Sequence, residues 1–416
     1  MFSSRFDWDL RPNRLARLLE QKRRSKAAIL DLTQSNPTEA GLTYPVKEIL
    51  QALADERSLV YEPSPAGLSR ARQAVAAHYG ANPGMSCQRI EPERILLTAS
   101  TSEAYSYLFK LLADPGDEIL VPRPSYPLFG YLTAAESLRA VQYSLTYDGE
   151  WALNFGSLVD AVTPRTRAIV IVNPNNPTGS FIKQSELEKL LSLCVEQNLA
   201  IVSDEVFADY RFAPDQNSAP RAAAGTNSEL ANPPGCGRIR TLTGVQEAPT
   251  FCLSGLSKIA GLPQMKLAWI VIGGPPAFRQ GAFERLELIA DTYLSVATPV
   301  QHALARLLEA SSMIREQIAS RVRENLGLLQ SAAGRDSFFS VLNVEGGWYA
   351  ILKVPRTRSE EEWCLELLER DDVLVQPGFF YDFDSEAFLV LSLLPQPEIF
   401  REGVRRLLSC RERLPA

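Results

Sequence analysis

Short apolar runs alternate with helical patterns through the middle of the chain, and this alternation restricts the fold more than any other feature. Four runs are typical of buried strands, namely Arg94–Thr98, Glu118–Val121, Ala168–Val172 and Ala200–Ser203. Helical spacing follows the first run, where Ser100 and Glu103 could form a capping box, and the third, where Ser185 and Glu188 have the same spacing. This order predicts an α/β fold, with a mostly parallel sheet flanked by helices and right-handed crossovers.

The second half of the chain continues this pattern. Residues 213–249 are rich in Pro, Gly, Ala, Asn and Ser, which predicts a long, partly mobile loop. Strands are then predicted around Phe251 and over 266–272, and a long helix over 299–331. The C-terminal part adds a helix and further strands near Trp348–Leu352, Leu374 and Phe388.

Length and charge limit the classes of function. At 416 residues the chain exceeds the ~250–300 at which a single hydrophobic core stops growing, so we expect two lobes. A net charge of −6 leaves no basic surface of the kind that binds nucleic acid. No apolar stretch reaches the ~18 residues of a membrane span, and residues 1–14 lack the apolar core of a signal peptide.

Cysteine and histidine content argues against disulfides and metal sites. The six cysteines lie far apart and form no paired motif, so we predict reduced thiols and a cytoplasmic location. The only two histidines, His78 and His302, are too few for a histidine metal site or a Ser-His-Asp triad. We therefore expect no metal.

Lys258 is the candidate nucleophile. It ends the segment Ser254-Gly255-Leu256-Ser257-Lys258, a small hydroxyl-rich turn after the apolar run Thr250–Leu253. An amine becomes a useful nucleophile only when its site depresses its pKa or stores it as a Schiff base. A surface lysine after a strand is the alternative.

Two polar motifs follow predicted strands, at the edge of a parallel sheet where ligands bind. In Asn173-Pro174-Asn175-Asn176-Pro177-Thr178-Gly179, the prolines fix the backbone so that Asn176 can donate to an oxygen. Asp204 ends the next strand, where a buried carboxylate needs a cation or a strong donor such as a protonated pyridine nitrogen. A simple turn and a capping aspartate are the alternatives.

Two further motifs lie at the same edge. Ser100, Thr101 and Ser102 begin a helix whose exposed amides and hydroxyls suit a phosphate, although helix capping would also explain Ser100. Tyr126, in Pro124-Ser125-Tyr126-Pro127, could stack on a planar ring or pack in the core. Together with Lys258, Asp204 and Asn176, these groups match what pyridoxal phosphate requires.

On these residues the chain resembles a class I/II pyridoxal-phosphate-dependent aminotransferase of the aspartate aminotransferase superfamily, fold type I. Asn-Pro-Thr-Gly, Asp-Glu-Val and Ser-Lys occur in this order, and the resemblance covers nearly the whole chain. It implies a large cofactor-binding domain over 46–300, with a mostly parallel mixed seven-stranded sheet flanked by helices. It also implies a smaller α+β domain formed by residues 1–45 and 301–416.

The resemblance also implies roles for individual residues around pyridoxal 5'-phosphate. Lys258 would form the internal aldimine and shuttle the substrate proton, and Asp204 would keep the pyridine nitrogen protonated. Asn176 would donate to the ring O3', and Tyr126 would stack on the ring. The phosphate would be bound by hydroxyls, those of Ser100, Thr101, Ser102, and Ser257 or Ser254.

A homodimer with a shared active site is implied as well. Tyr61, in Tyr61-Glu62-Pro63-Ser64-Pro65-Ala66-Gly67, is similar to a family tyrosine that reaches the phosphate of the partner subunit. The segment Gln34-Ser35-Asn36-Pro37 is similar to the N-terminal stretch that closes over the substrate.

Four positions depart from the family pattern. Phe207 stands where a tyrosine is usual, Gly255 where a phosphate-binding serine is common, and Lys266 where an arginine usually grips the phosphate. Val390 stands where the family's arginine binds the substrate carboxylate, and no arginine lies between Arg370 and Arg401. Arg123, Arg211 or an N-terminal arginine, backbone amides or a partner chain would have to replace it, unless the substrate lacks an ordinary α-carboxylate.

The function implied is an aminotransferase that moves an amino group between an amino acid, or a related amine, and a 2-oxo acid. A carbon–sulfur β-lyase is one alternative, because the same residues would generate the same carbanion. A protein that binds the cofactor without turnover, or that takes an atypical substrate, is the other. The missing arginine keeps this second alternative open.

Overall fold

The structure is a computed structural model that describes residues 2–81, 89–212, 237–334 and 338–410. The first part of the predicted loop, residues 213–236, lies outside the described residues, as do Cys87 and Cys236. The four cysteines within the described ranges are buried, and none of them forms a disulfide. No described helix is both long enough and apolar enough to cross a membrane.

The described strands, in chain order, are β1 (Leu30–Asp31), β2 (Ile95–Thr98), β3 (Glu118–Arg123), β4 (Arg139–Tyr147), β5 (Trp151–Leu153), β6 (Thr166–Val172), β7 (Ala200–Asp204), β8 (Thr250–Gly255), β9 (Ala268–Gly273), β10 (Ser340–Val341), β11 (Tyr349–Lys353), β12 (Val373–Leu374), β13 (Gln376–Pro377) and β14 (Phe388–Ser392). The described α-helices are α1 (Arg14–Arg24), α2 (Val46–Leu53), α3 (Ser69–Ala81), α4 (Thr101–Leu112), α5 (Phe129–Ala135), α6 (Phe155–Asp160), α7 (Gln184–Gln197), α8 (Leu256–Ile259), α9 (Pro276–Asp291), α10 (Thr298–Ala333), α11 (Glu360–Arg370) and α12 (Pro397–Ser409).

Within the described ranges, eight strands form one large sheet in the order β2, β9, β8, β7, β6, β3, β4, β5. The strands from β8 to β4 pair in parallel, β9 runs antiparallel between β2 and β8, and β5 is antiparallel at the far edge. The predicted α/β fold with a mostly parallel mixed sheet is confirmed, with eight strands instead of seven. The additional strand, β5, has three residues, too few to show a periodic pattern in the sequence.

The central strands of the large sheet face two separate cores. Ile169 and Ile201 pack in a core with α7 and α10, whereas Val170 and Val202 pack in a second core with α4 and α9. Successive side chains of a strand point to opposite faces, so a strand covered on both faces is apolar throughout. This double burial is the reason that the sequence shows continuous apolar runs here.

A second sheet holds the C-terminal part of the chain. Its four described strands follow the antiparallel order β10, β11, β14, β13, and β1 pairs in parallel with β12 in a separate small ribbon. Helix α10 packs against α2, α3 and α12. The domain boundary that we predict at residue 300 falls in the first turn of α10, and the division into two domains stays a prediction.

The predicted start of α7 needs correction. The helix begins at Gln184, and the backbone N–H of Lys183 donates to Glu186 Oε2 at 2.8 Å. The predicted capping pair of Ser185 and Glu188 is therefore wrong. Glu186 takes the capping position because its other oxygen accepts the N–H of Leu153 in β5 at 2.7 Å, which fixes this side chain at the helix end.

Candidate active site

A cavity of about 330 Å³ lies beyond the carboxyl ends of β2, β6, β7 and β8. All but three of the residues predicted for the site line it. The lining comprises Ser35, Ser100, Thr101, Ser102, Tyr126, Val172, Asn176, Asp204, Val206, Phe207, Gly255, Ser257, Lys258, Pro263, Ala268 and Tyr349. The residues come together because the carboxyl ends of parallel strands share one edge of the sheet.

Lys258 lies in α8, the short helix that directly follows β8. Its Nζ lies 5.1 Å from the centroid of the Trp348 ring and 5.7 Å from that of Phe207. Burial lowers the pKa of Lys258 to about 8, although the neighbouring Asp204 acts in the opposite direction. A substantial fraction of this amine is therefore neutral near physiological pH, as nucleophilic attack requires.

Asp204 is the last residue of β7 and is buried. Tyr105 Oη donates to Asp204 Oδ2 at 3.1 Å, and the N–H of Val206 donates to Oδ1 at 3.2 Å. Burial raises the pKa of Asp204 to about 6, and these hydrogen bonds and Lys258 oppose that shift. The carboxyl is therefore mostly ionised at neutral pH, and its charge faces a cavity that can accept a positively charged group.

The N-terminus of α4 forms another wall of the cavity. Ser100 caps the helix, since its Oγ accepts the N–H of Glu103 at 3.1 Å. The Glu103 carboxylate in turn accepts the N–H of Ala99 at 2.7 Å. These two hydrogen bonds hold the turn before the helix in place. Thr101 and Ser102 occupy the first helical turn. Free amides and hydroxyls at a helix N-terminus favour an anion.

The loop that carries Asn176 is anchored to the loop that carries Tyr126. Asn175 Nδ2 donates to Ser125 Oγ at 3.2 Å, which links the two loops next to the cavity. Asn176 Oδ1 is buried and has no hydrogen-bond partner within the described part of the chain. Tyr126 is partly exposed, and its ring packs edge-on against Phe129. An amide and an aromatic ring are thus presented to the same space.

Three of the residues predicted for the site do not line the cavity. Tyr61 is 75% exposed and lies at a separate depression near Tyr107 and Leu294. Ser254 is buried, and its Oγ has no partner among the described residues. Lys266 has a left-handed backbone with φ +49° two residues before β9 begins.

Gly255 has a steric reason to be glycine. A Cβ at this position would lie 2.7 Å from the Cβ and 2.8 Å from the Cα of Ala268 in the neighbouring strand β9. Such distances are too short for any side chain, so the serine common in the family does not fit here.

Neither Arg123 nor Arg211, the two numbered candidates to replace the missing arginine, lines the cavity. Arg123 Nη1 pairs with Asp384 at 3.0 Å, and the backbone of Arg211 pairs with that of Gly346 in an isolated antiparallel β-bridge. Val390 is fully buried in β14, opposite Ile351 in β11. Among the described residues that line the cavity, Lys258 is the only cation.

Sequence reasoning missed three aromatic residues around Lys258 and Asp204. Tyr105 lies four residues after Thr101 in α4, and this helical spacing puts it on the same face, so it could have been found. Tyr349 is the first residue of β11 in the second sheet, and Trp348 directly precedes it. Neither carries a local signal of a site, because only the tertiary structure brings β11 to the cavity.

Comparisons with known proteins agree with this geometry. The family model described as aminotransferase class I and II matches residues 27–405. The glutamate-pyruvate aminotransferase AlaA of Escherichia coli K12 is 27% identical over 376 residues, 88% of this chain and 86% of that protein. An alanine aminotransferase of Mycobacterium bovis is 26% identical, over 91% of this chain and 84% of its own length.

Solved structures show the same fold. The alanine aminotransferase from Pyrococcus furiosus superposes with a TM-score of 0.84 at 21% identity, covering 99% of this chain and 100% of that one. An aminotransferase from Escherichia coli superposes with a TM-score of 0.79 at 23% identity, covering 99% and 98% of the two chains.

Proposed function

The chain belongs to aminotransferase class I and II, a family of enzymes that depend on pyridoxal phosphate, and we propose that it holds pyridoxal 5'-phosphate in the Lys258 cavity. In this proposal it moves an amino group between an amino acid, or a related amine, and a 2-oxo acid. One observation carries the proposal: Lys258 and Asp204 line the same cavity. Lys258 is an amine with a lowered pKa, and Asp204 is a buried carboxylate.

The residues present fit this cofactor. Asp204 is a buried anion suited to a protonated ring nitrogen, and Asn176 lines the same cavity with its side-chain amide. The helix N-terminus with Ser100, Thr101 and Ser102, joined by Ser257, is suited to a phosphate group. Pyridoxal phosphate supplies a carbonyl that takes up the amino group and a ring that accepts electrons from the substrate carbon.

Lys258 has two tasks in this proposal. Its neutral Nζ would hold the cofactor covalently, and once released, the same Nζ would take the proton from the substrate carbon beside the nitrogen and deliver it to the former carbonyl carbon of the cofactor. The Trp348 and Phe207 rings beside Nζ exclude water, which keeps the pKa of the amine low enough for both tasks.

Asp204 acts at the other end of the site. Its ionised carboxylate would accept a hydrogen bond from the protonated ring nitrogen, and Tyr105 and the Val206 N–H hold the carboxylate in place. Asn176 would donate to the ring oxygen, and Tyr126 would stack on the ring. Phe207 offers no hydroxyl to that oxygen, which leaves Asn176 as its donor.

The assembly is part of the proposal. Tyr61 is 75% exposed and does not line its own cavity, and the adjacent Leu59 and Val60 are 89% and 64% exposed. An exposed apolar segment of this kind is suited to an interface. We expect a homodimer in which Tyr61 reaches the phosphate site of the partner subunit, as well as a cytoplasmic location. Lys266 would then contribute charge near the phosphate from outside the cavity lining.

Nitrogen tracing tests the proposed function. The purified enzyme is supplied with a ¹⁵N-labelled amino donor and with pyruvate, and the products are followed by mass spectrometry. We expect ¹⁵N-alanine and the oxo product of the donor in equal amounts. Release of ammonia and pyruvate from a cysteine conjugate, without transfer of label, would select the carbon–sulfur β-lyase instead.

A further inference from the structure

The end of the cavity nearest the second sheet is built from uncharged hydroxyl groups. Ser35 of the N-terminal segment and Tyr349 of β11 both line the cavity, and Ser35 is near enough to Tyr349 to oppose the rise of its pKa. Ser392 fixes the N-terminal segment to this sheet, since its Oγ donates to Gln34 O at 2.6 Å and its N–H donates to Leu32 O at 2.7 Å. The two hydroxyls are therefore held in place before any substrate arrives.

Val390, the position beside Tyr349 where an arginine is usual in the family, is apolar. Tyr349 is paired with Ser392 across the sheet, and Ile351 with Val390, so Tyr349 and Val390 lie on the same face. Val390 is fully buried. Lys258, the single cation among the described lining residues, is engaged at the reacting end of the cavity in the proposed function.

A carboxylate is costly in such surroundings. A buried ionised carboxylate needs a paired cation or several strong donors, because it loses its hydration on entering the cavity. A hydroxyl can both donate and accept, so it suits a neutral amide, ester or alcohol, each of which donates, accepts or does both. Burial raises the pKa of Tyr349, so its hydroxyl remains protonated and uncharged at neutral pH.

We propose that Ser35 and Tyr349 form a neutral recognition site for the group next to the reacting amine. The enzyme then accepts α-amino compounds that carry an amide, an ester or a hydroxymethyl group at least as well as the corresponding free amino acids. This inference rests on the proposed function, and it makes Tyr349 a residue that determines substrate specificity.

The test compares three donors that differ only at this group: alanine, alaninamide and alaninol. Each is mixed with the purified holoenzyme without an oxo acid, and the loss of the visible cofactor band is followed over time. The second-order rate constant is calculated from the concentration of the unprotonated amine, so that donors with different amine pKa values can be compared. We expect alaninamide or alaninol to match or exceed alanine. In Tyr349→Phe the rate constant for the neutral donors falls by about tenfold, the effect of one lost hydrogen bond.

Two controls separate recognition from damage to the fold. Tyr143→Phe removes another buried hydroxyl, one that donates to Val170 O at 2.8 Å outside the cavity, and is expected to leave all three rate constants unchanged. Ser35→Ala tests the second hydroxyl without altering an aromatic ring, and is expected to slow the neutral donors.

Alanine reacting at least about tenfold faster than alaninamide and alaninol would overturn the inference, because that preference requires a cation or several strong donors at this end of the cavity. The proposed function would survive that result. A holoenzyme whose cofactor band responds to none of the three donors, nor to any other amino compound, would overturn both.

Discussion

Tyr105 Oη donates a hydrogen bond of 3.1 Å to Oδ2 of Asp204. Tyr105 belongs to α4, the helix whose first turn carries Thr101 and Ser102, and Asp204 ends the neighbouring strand β7. One helix therefore fixes both the proposed phosphate site and the carboxylate at the opposite end of the cofactor. The geometry of the site depends on the packing of α4 on the large sheet, and this packing is formed by the second core.

The hydrogen bond predicts a shift in pH dependence. It stabilises the ionised form of Asp204, so Tyr105→Phe raises the pKa of Asp204 above its present value of about 6. In the cofactor-free protein the midpoint of Asp204 ionisation then moves to higher pH by about one unit. Carboxyl titration by NMR of the cofactor-free wild type and variant measures this shift, and an unshifted midpoint would contradict the role given to Tyr105.

The amine of Lys258 predicts the pH at which the cofactor attaches. Its pKa is lowered from 10.5 to about 8, so attachment to the cofactor-free protein should accelerate with pH up to about 8 and then level off. Asp204 raises this pKa, so Asp204→Asn should move the midpoint to lower pH. Stopped-flow absorbance after addition of pyridoxal phosphate gives both midpoints. A rate that keeps rising towards pH 10 would mean that the amine is not desolvated.

Gly255 predicts a packing defect on substitution. The Cβ of Gly255→Ser would lie 2.7 Å from Ala268 Cβ, so we expect a loss of about 1–3 kcal/mol in the free energy of unfolding. Gly244→Ser is the matched control, because an added Cβ there meets no atom within 4 Å. Urea unfolding of both variants makes the comparison. Equal free energies of unfolding for Gly255→Ser and Gly244→Ser would show that β8 and β9 leave room for a side chain at position 255.

Glu205 predicts a dependence of stability on pH. Burial raises its pKa from 4.5 to about 7, so its contribution to stability is fully present below pH 4.5 and is lost as the pH rises through 7. The glutamine in Glu205→Gln does not ionise. The melting temperature of this variant should therefore rise relative to that of the wild type as the pH increases from 5 to 8. The exposed Glu196→Gln serves as control and should follow the wild type. A difference in melting temperature between Glu205→Gln and the wild type that stays constant over this pH range would contradict the raised pKa of Glu205.

The residues that sequence reasoning found are those next to strand ends. Asp204, Asn176 and Lys258 follow apolar runs in the sequence, and a parallel sheet brings the ends of such runs together. Ser254 and Lys266 also adjoin strands, yet neither lines the cavity. Ser254 lies within β8 and is buried, and the left-handed turn at Lys266 precedes β9, which runs in the opposite direction.

The sequence predicted that the segment 34–37 closes over the substrate, but it did not predict the pairing of Ser35 with Tyr349, which depends on contacts between distant segments. Ser35 and Tyr349 meet only because β11 and β14 hold the N-terminal segment at the edge of the second sheet. No local pattern in the sequence contains this pairing. The extra strand β5 and the cap of α7 were missed for a related reason, because Glu186 links the two elements across the chain.

The attachment of the cofactor to Lys258 is the central claim, and one measurement tests it directly. The purified holoenzyme is reduced with borohydride, digested and analysed by mass spectrometry, alongside Lys258→Ala and Lys266→Ala. We predict a phosphopyridoxyl group on Lys258 Nζ in the wild type and in Lys266→Ala, and neither this adduct nor turnover in a folded Lys258→Ala. A phosphopyridoxyl group on another lysine, or continued transamination by Lys258→Ala, would contradict the account.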